Sequence, residues 1–451
     1  MASRLGNQAV VIGAGIGGLA AAGALADYFE RVIVLERDEF PADAAHRVGT
    51  PQARHVHVLL AGGQRALELL FPGFTAELAK AGAVPIRMAL DTISEVEGFD
   101  LFPRRDFGWD NYSMSRPLVE YVARSELAKR GNVELRERCR VEALTATTGA
   151  HNAVVNGVQL VRPNREGETL PADLVVDASG TGMLTLALLE ATGNAAPAET
   201  RIGVDLVYAT AVFTIPDYAP GDWKSVFTFP NPPASSRGAL LMPIEGKRWI
   251  LSLGGAHGDH PPGDLAGFLA FAEQLRTTTI HRAVRDATPN GGVARFAFPQ
   301  SIRRHFERVA SFPHGLIPLG DAVCRFNPIY GQGMSVAAQE ACMLRDLLAA
   351  RAATSEPLED LPRAFFAAIE PVIDTPWTTS AVQDFAYPQT QGERPPDIET
   401  TLKLARALNR AAARDASVHK LAVEVRQLLK PRSAYLDPAF VAQVYASMAE
   451  L

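Results

Sequence analysis

The stretch QAVVIGAGIGGLAAAGAL, residues 8–25, sets an apolar run against a cluster of glycines and then a line of small, helix-forming residues. Residues 9–12 read as a fully buried strand of the kind found in parallel sheets, and Ile16 to Ala26 as an Ala/Leu-rich helix. Between them Gly13, Gly15 and Gly18 meet the spacing G-x-G-x-x-G. The first glycine allows a tight turn, the second lets a pyrophosphate approach the backbone, and the third permits close packing of helix on strand. A phosphate at this turn rests on the helix N-terminus, where free N–H groups and the macrodipole favour negative charge. RVIVLERD, 31–38, supplies a second strand and closes a βαβ unit. Glu36 ends it 18 residues after Gly18, close to the spacing that sets a carboxylate on a ribose hydroxyl, and Arg37 beside it is assigned to the same nucleotide.

The rest of the composition narrows the class. Of 451 residues, 47% are apolar and 21% charged, as in ordinary globular chains, with 44 basic against 50 acidic side chains and a formal charge of −6. A mildly acidic chain without charge runs attracts neither nucleic acid nor an anionic membrane, so neither is expected as a partner. Cys139, Cys324 and Cys342 are far apart, with no zinc-like or disulfide-framework spacing, which suits a reducing cytoplasm. The N-terminus shows no basic, apolar and cleavable leader, and the glycines interrupt the apolar segment too early for a membrane span. A cytoplasmic protein with no integral membrane segment is the expectation.

Two further buried strands, ADLVVDASG (172–180) and GLIPLGDA (315–322), lie far along the chain, so one nucleotide-binding α/β domain is interrupted by insertions. Between about 200 and 300 the segments LVYATAVFTI, SVFTFP, GALLMPI and RWILSLGG read as an antiparallel sheet. Helical patterns follow from about 336 to 370 and after the GERPPD break. The expected fold is α/β: a Rossmann-like domain from 1–85, 113–199 and 301–350, an inserted antiparallel-sheet substrate domain from 86–112 and 200–300, and a C-terminal helical cap over 351–451.

The segment GLIPLGDAVCRFNPIYGQGMSVAAQEA, 315–341, resembles the second flavin fingerprint of FAD-dependent monooxygenases of the aromatic-hydroxylase and squalene-epoxidase superfamily. The resemblance implies that FAD is the dinucleotide. Gly320 and Asp321 follow a buried strand and set a carboxylate to accept from ribityl hydroxyls. Pro328 offers a rigid edge beside the isoalloxazine, and Gly331, Gly333 and Met334 open a helix whose N–H groups favour negative charge on the ring. By the same resemblance MSRPLVEYVARSELAKRGNVELRERCRVEAL carries Arg116 toward FAD and lays the backbone of Val141 against adenine. Arg47 and Gln52, in HRVGTPQARHVHVLL, approach the flavin from a loop. One departure stands out: where the hydroxylases carry an Asp-Gly pair after the middle strand, this chain reads VVDASGTGMLT, with Asp177 earlier and Ser179-Gly180 at the pair. NAD(P)H is therefore expected as reductant either directly or through a separate flavin reductase.

Within that superfamily, GTPQARHVHVLLAGG…LFPG, VYATAVF, LMPIEGKRWILSLGG and DTPWTTSAVQDFAYP look like the actinobacterial flavin epoxidases that act on polyether polyketide precursors. What this implies is insertion of one atom of O2 through a flavin C4a-hydroperoxide, most simply epoxidation of an alkene in a lipophilic polyketide or isoprenoid. Hydroxylation of an arene and flavin-dependent reduction of an isoprenoid are the alternatives. The cofactor makes the bond, so no catalytic side chain is assigned, and the protein must exclude water and position the substrate. Phe213, Phe227, Phe229, Met242 and Tyr330 are the side chains expected in or near an apolar cavity between flavin and sheet. Arg54-His55-Val56-His57 places two histidines at strand spacing, without a third ligand, and no metal is assigned. Halogenation is disfavoured, since Trp109 is followed by Asp110 instead of a W-x-W-x-I-P pattern and Lys80 lies in a solvated helix pattern.

Overall fold

The computed structural model describes residues 4–148, 152–162 and 166–448, so the last three residues of the expected cap lie outside it. Five parallel strands form the central sheet, in the order Leu316–Pro318, Leu174–Asp177, Gly6–Ile12, Phe29–Leu35 and Val133–Arg136. Alternation decides what covers each face. Ala9, Val11, Val32 and Val34 point to a helical layer, whereas Val10, Ile12, Ile33 and Leu35 point to a three-stranded antiparallel sheet of Arg140–Thr148, Ala153–Val161 and Gly167–Pro171. In the helical layer, helix Ile16–Leu25 is apolar all round because it is buried all round, against helices Gly333–Arg351 and Arg116–Ala128.

The second sheet has seven strands, ordered Cys324–Arg325, Ala294–Arg304, Glu199–Thr214, Arg248–Ala256, Gly238–Ile244, Ser225–Thr228 and Thr92–Glu95. It is mixed, not purely antiparallel: Thr92–Glu95 pairs parallel with Ser225–Thr228. Parallel neighbours need a long crossover, and here the chain passes through the central sheet between the two strands. One face of this sheet, carrying Ala209, Ala211, Phe213, Leu241 and Leu251, packs on helices Leu265–Glu273 and Thr279–Val284. The other face, with Tyr208, Leu240, Met242 and Ser252, looks toward the central domain.

Helices Leu361–Asp384, Ile398–Arg414, Ala416–Arg426 and Pro438–Met448 close the remaining side. The first joins the main core through Phe365, Ile369 and Trp377, and the others share a small core of Ala407, Ala411, Val418 and Phe440 with Phe102. Gly62 permits the docking: a Cβ there would lie 2.3 Å from the Leu428 carbonyl oxygen, and its N–H donates to the Gln427 carbonyl at 2.8 Å. No helix among the described residues is long and apolar enough to cross a membrane.

Candidate active site

The three glycines of the opening turn do different work. Gly13 has φ +95°, and a Cβ on it would lie 2.6 Å from the Ala178 carbonyl oxygen; one on Gly18 would lie 1.9 Å from the Gly13 carbonyl oxygen. Those two close the turn. Gly15 is the N-cap of helix Ile16–Leu25, and the nearest atom to a Cβ there is Arg116 Nη2 at 3.7 Å. Gly13 and Gly15 line a cavity of about 1910 Å³, while Gly18 packs behind it.

Beside the turn runs a buried chain of charges. Glu36 accepts from the Ala14 N–H at 2.9 Å and the Asp38 N–H at 3.1 Å, and lies 2.9 Å from Arg47 Nη1. Arg47 Nη2 donates to Glu120 Oε2 at 2.9 Å, and Glu120 Oε1 accepts from Arg116 Nε at 2.9 Å. Burial opposes charge on Glu120, but Arg116 and Arg47 outweigh it and hold its carboxyl below the ordinary range. Burial opposes charge on Arg47 too, and Glu120 and Glu36 raise its pKa nonetheless. Arg116 Nη1 reaches His57 Nε2 at 3.2 Å while His57 Nδ1 bonds the His55 carbonyl at 3.0 Å. Burial, with Arg116 adding to it, pushes His57 down to about 3, so the ring is neutral, donates from Nδ1 and accepts from Arg116. Arg37, whose Nη2 lies 3.3 Å from the Gly49 carbonyl, Gln52 and Val141 stand on the same wall.

Strand Leu316–Pro318 delivers a further part of the wall. Gly320, at φ +67°, turns the chain so that Asp321 opens into the cavity. The protein around it raises the Asp321 carboxyl above its ordinary range, opposed by Arg116 and Arg325. Pro328 begins a single turn, Gly331 reverses the chain at φ +66°, and Gly333 and Met334 open helix Gly333–Arg351 on the cavity wall. Below it, Glu340 Oε2 accepts from the Gly320 N–H at 2.6 Å, and burial pushes that carboxyl up to about 8. Asp177 is turned away from the cavity and accepts from Thr185 Oγ1 at 2.7 Å, whereas Ser179 and Gly180 line it.

The cavity continues over the exposed face of the seven-stranded sheet. Phe227, Phe229, Met242 and Tyr330 line it, joined by Tyr208 and Phe296. Phe213 does not: it is 1% exposed on the opposite face, its ring 6.5 Å from that of Phe268. Its position in the strand shares the parity of Ala209 and Ala211, which decides the face. Tyr208, in the same strand, is the residue that reading missed. Tyr330 donates to Asp384 Oδ1 at 2.9 Å, as does Asn327 Nδ2 at 2.9 Å. The pair of histidines lies after a short turn at Pro51–Arg54 and not on a strand; His55 Nδ1 bonds Thr210 Oγ1 at 2.8 Å, and burial pushes the ring down to about 4. Lys80 is 77% exposed beside Glu77.

A dinucleotide with a polyol arm fits these residues. Gly15 leaves open space at a helix N-terminus, Asp321 offers acceptors toward the cavity, and Gln332 Oε1 is a buried acceptor without a partner on the same wall. Comparison with known sequences agrees: the model of the FAD-binding-domain family matches residues 7–357. The chain belongs to the FAD-binding-domain family. A relative, Protein Rv3254 of Mycobacterium tuberculosis, is 34% identical over 408 residues, 87% of this chain and 84% of that one. Among solved structures, p-nitrophenol 4-monooxygenase PnpA from Pseudomonas putida superposes with a TM-score of 0.63 at 18% identity, over 95% of this chain and 99% of that one. The flavin-dependent brominase Bmp2 gives 0.66 at 14% identity, over 99% and 98%. At such identities these two share the family's fold with the chain, and nothing finer.

Proposed function

We propose that the protein is an FAD-dependent monooxygenase that inserts one oxygen atom from O2 into a lipophilic small molecule, most simply by epoxidising an alkene. What carries the reading is the continuity of one cavity from the Gly15 turn, past Asp321 and Pro328, to the aromatic chamber of Phe227, Phe229, Met242 and Tyr330. Gly13, Gly15, Glu36, Arg37, Arg47, Arg116, Val141, Gly320, Asp321, Pro328, Gly331, Gly333 and Met334 are the residues assigned to FAD, with Gly18 packing the turn. Bound FAD supplies the redox chemistry and the activation of dioxygen.

The side chains then have limited tasks. Arg116, fixed by Glu120 and by neutral His57, holds a positive charge at the cavity wall without a competing proton on the imidazole. The aromatic and Met242 surfaces exclude water and hold an apolar substrate in one orientation, which is where the protein contributes most of the rate. Tyr330, tied to Asp384, is held in a fixed orientation on the cavity wall. The similarity of PQARHVH and VYATAVF to polyether epoxidases favours an alkene over an arene. NAD(P)H is the proposed reductant, and Ser179-Gly180 in place of Asp-Gly favours delivery through a separate flavin reductase.

The test is turnover of the FAD-loaded protein under ¹⁸O2 with NADPH, with and without an added flavin reductase, on terpenoid and polyketide alkenes and on phenols. The expected outcome is one ¹⁸O per product, as an epoxide. Labelled phenols would replace epoxidation by hydroxylation, and anaerobic formation of a saturated product would overturn the oxygenase reading.

A further inference from the structure

The far end of the cavity is built by the C-terminal helices and is lined by Leu404, Leu408, Val423, Phe440 and Val444. At this end, beside the polar side chains of Arg406, Arg432 and Tyr435, stands Arg426, the last residue of helix Ala416–Arg426. Its Nε donates to the Ala422 carbonyl at 3.3 Å, and among the described residues its remaining donors have no hydrogen-bond or ion-pair partner. The contrast with its neighbours is direct. Arg406 on the same wall lies 3.4 Å from Glu97, and Arg105 behind the helices donates to the carbonyls of Ala412 and Ala413 at 2.7 and 2.6 Å. The surrounding protein lowers the pKa of Arg426 although its side chain is open to the cavity, and Tyr435 opposes the effect. Tyr435 in turn feels both Arg426 and Arg432, and all three residues line the cavity.

The Arg426 side chain is open to the cavity and not buried in its wall, and a guanidinium with free donors facing that space matches a carboxylate in plane and in charge. The residue is also held in place. The Ala61 N–H and Asn111 Nδ2 both donate to Gln427 Oε1, at 3.0 and 2.8 Å, and Gln339 Nε2 donates to the Leu428 carbonyl at 2.9 Å, so the backbone just after Arg426 is pinned to the central domain. A helix-terminal arginine that only steadies the macrodipole needs neither this anchoring nor a place on the cavity wall. We propose that Arg426 binds the carboxylate of the substrate, which makes that substrate a lipophilic acid with its apolar body running over the Leu404, Val423 and Phe440 surfaces toward the aromatic chamber. The inference rests on the monooxygenase reading for the meaning of "substrate", and names its chemical class.

The test is calorimetric titration of the FAD-loaded full chain with oleate and with methyl oleate, below their aggregation limits, for wild type, R426Q and R426K. Flavin absorbance and melting temperature are recorded on the same samples. The expected result is oleate at least tenfold tighter than its ester in wild type, the preference gone in R426Q at unchanged ester affinity and flavin content, and partly kept in R426K. Equal affinities for acid and ester, binding of neither, or a preference that survives R426Q would overturn it. The wild-type comparison stands even if a variant fails to fold. An acid preference that depends on Arg426 in a protein that incorporates no oxygen would keep this site and sink the monooxygenase reading; oxygenation without the preference would do the reverse.

Discussion

Tyr330 donates its hydroxyl hydrogen to Asp384 Oδ1 across 2.9 Å, on a carboxyl that is 5% exposed and whose second oxygen has no partner. Burial pushes Asp384 up to about 7, against the hydrogen bonds from Tyr330 and Asn327. In the unfolded chain the same carboxyl titrates near ~3.9. Between those values the native state holds the extra proton, so this contribution to stability is complete below the unfolded value and is lost as pH rises through about 7. Glu340, pushed to about 8, acts with the same sign. Melting temperature should fall between pH 5 and 8, and the fall should be shallower in D384N and in E340Q, which carry no such proton. Parallel curves for all three proteins would contradict this.

Gly15 and Gly18 should respond oppositely to one methyl group. A Cβ at Gly15 meets nothing closer than 3.7 Å, so G15A is expected to melt like wild type and to bind FAD at least about tenfold more weakly, ~1.4 kcal/mol. At Gly18 the added carbon would sit 1.9 Å from a carbonyl oxygen, an overpacking that costs on the order of 1–3 kcal/mol or more. Denaturant titration beside FAD titration separates the two.

Arg47 neutralises two buried carboxylates at once, Glu36 and Glu120, each 2.9 Å away. Removing it in R47M should cost about 3–5 kcal/mol, because both charges remain buried. R47K should recover only part, since one ammonium lacks the planar fork that reaches both. Urea unfolding midpoints check the order wild type, R47K, R47M.

Phe213 and Phe227 divide core from pocket. F213A should cost about 3–5 kcal/mol and leave substrate preference alone. F227A, at a half-buried position on the cavity wall, should alter KM and product distribution at a smaller stability cost. A change of product pattern in F213A would reverse the assignment.

Why some of this was legible in the chain and some was not follows from range. The turn at Gly13, Gly15 and Gly18 and the Gly320-Asp321 corner are dictated by local backbone needs, so spacing alone locates them. Arg116 carries a local signal too, its pairing with Glu120 at i,i+4. Arg47, the second cation on Glu120, and His57, which bonds Arg116, come from a distant loop, which no spacing announces. Aromatic content alone puts Phe213 in the pocket, whereas strand parity excludes it and brings Tyr208 in. Thr92–Glu95 lies in the 86–112 segment expected in the substrate domain, but four residues are too few to reveal a strand that pairs parallel with Ser225–Thr228. Arg426 sits in a helix of ordinary composition, and only the assembled cavity shows that its charge is unmatched.

The most direct measurement is a titration of the purified full chain with FAD, followed by flavin absorbance and fluorescence, with D321A alongside. The account predicts one FAD per chain held at or below micromolar affinity, a yellow protein on isolation, and loss of that affinity in D321A. A chain that stays colourless and takes up no FAD at micromolar excess would contradict it, and so would a D321A variant that binds FAD as tightly as wild type.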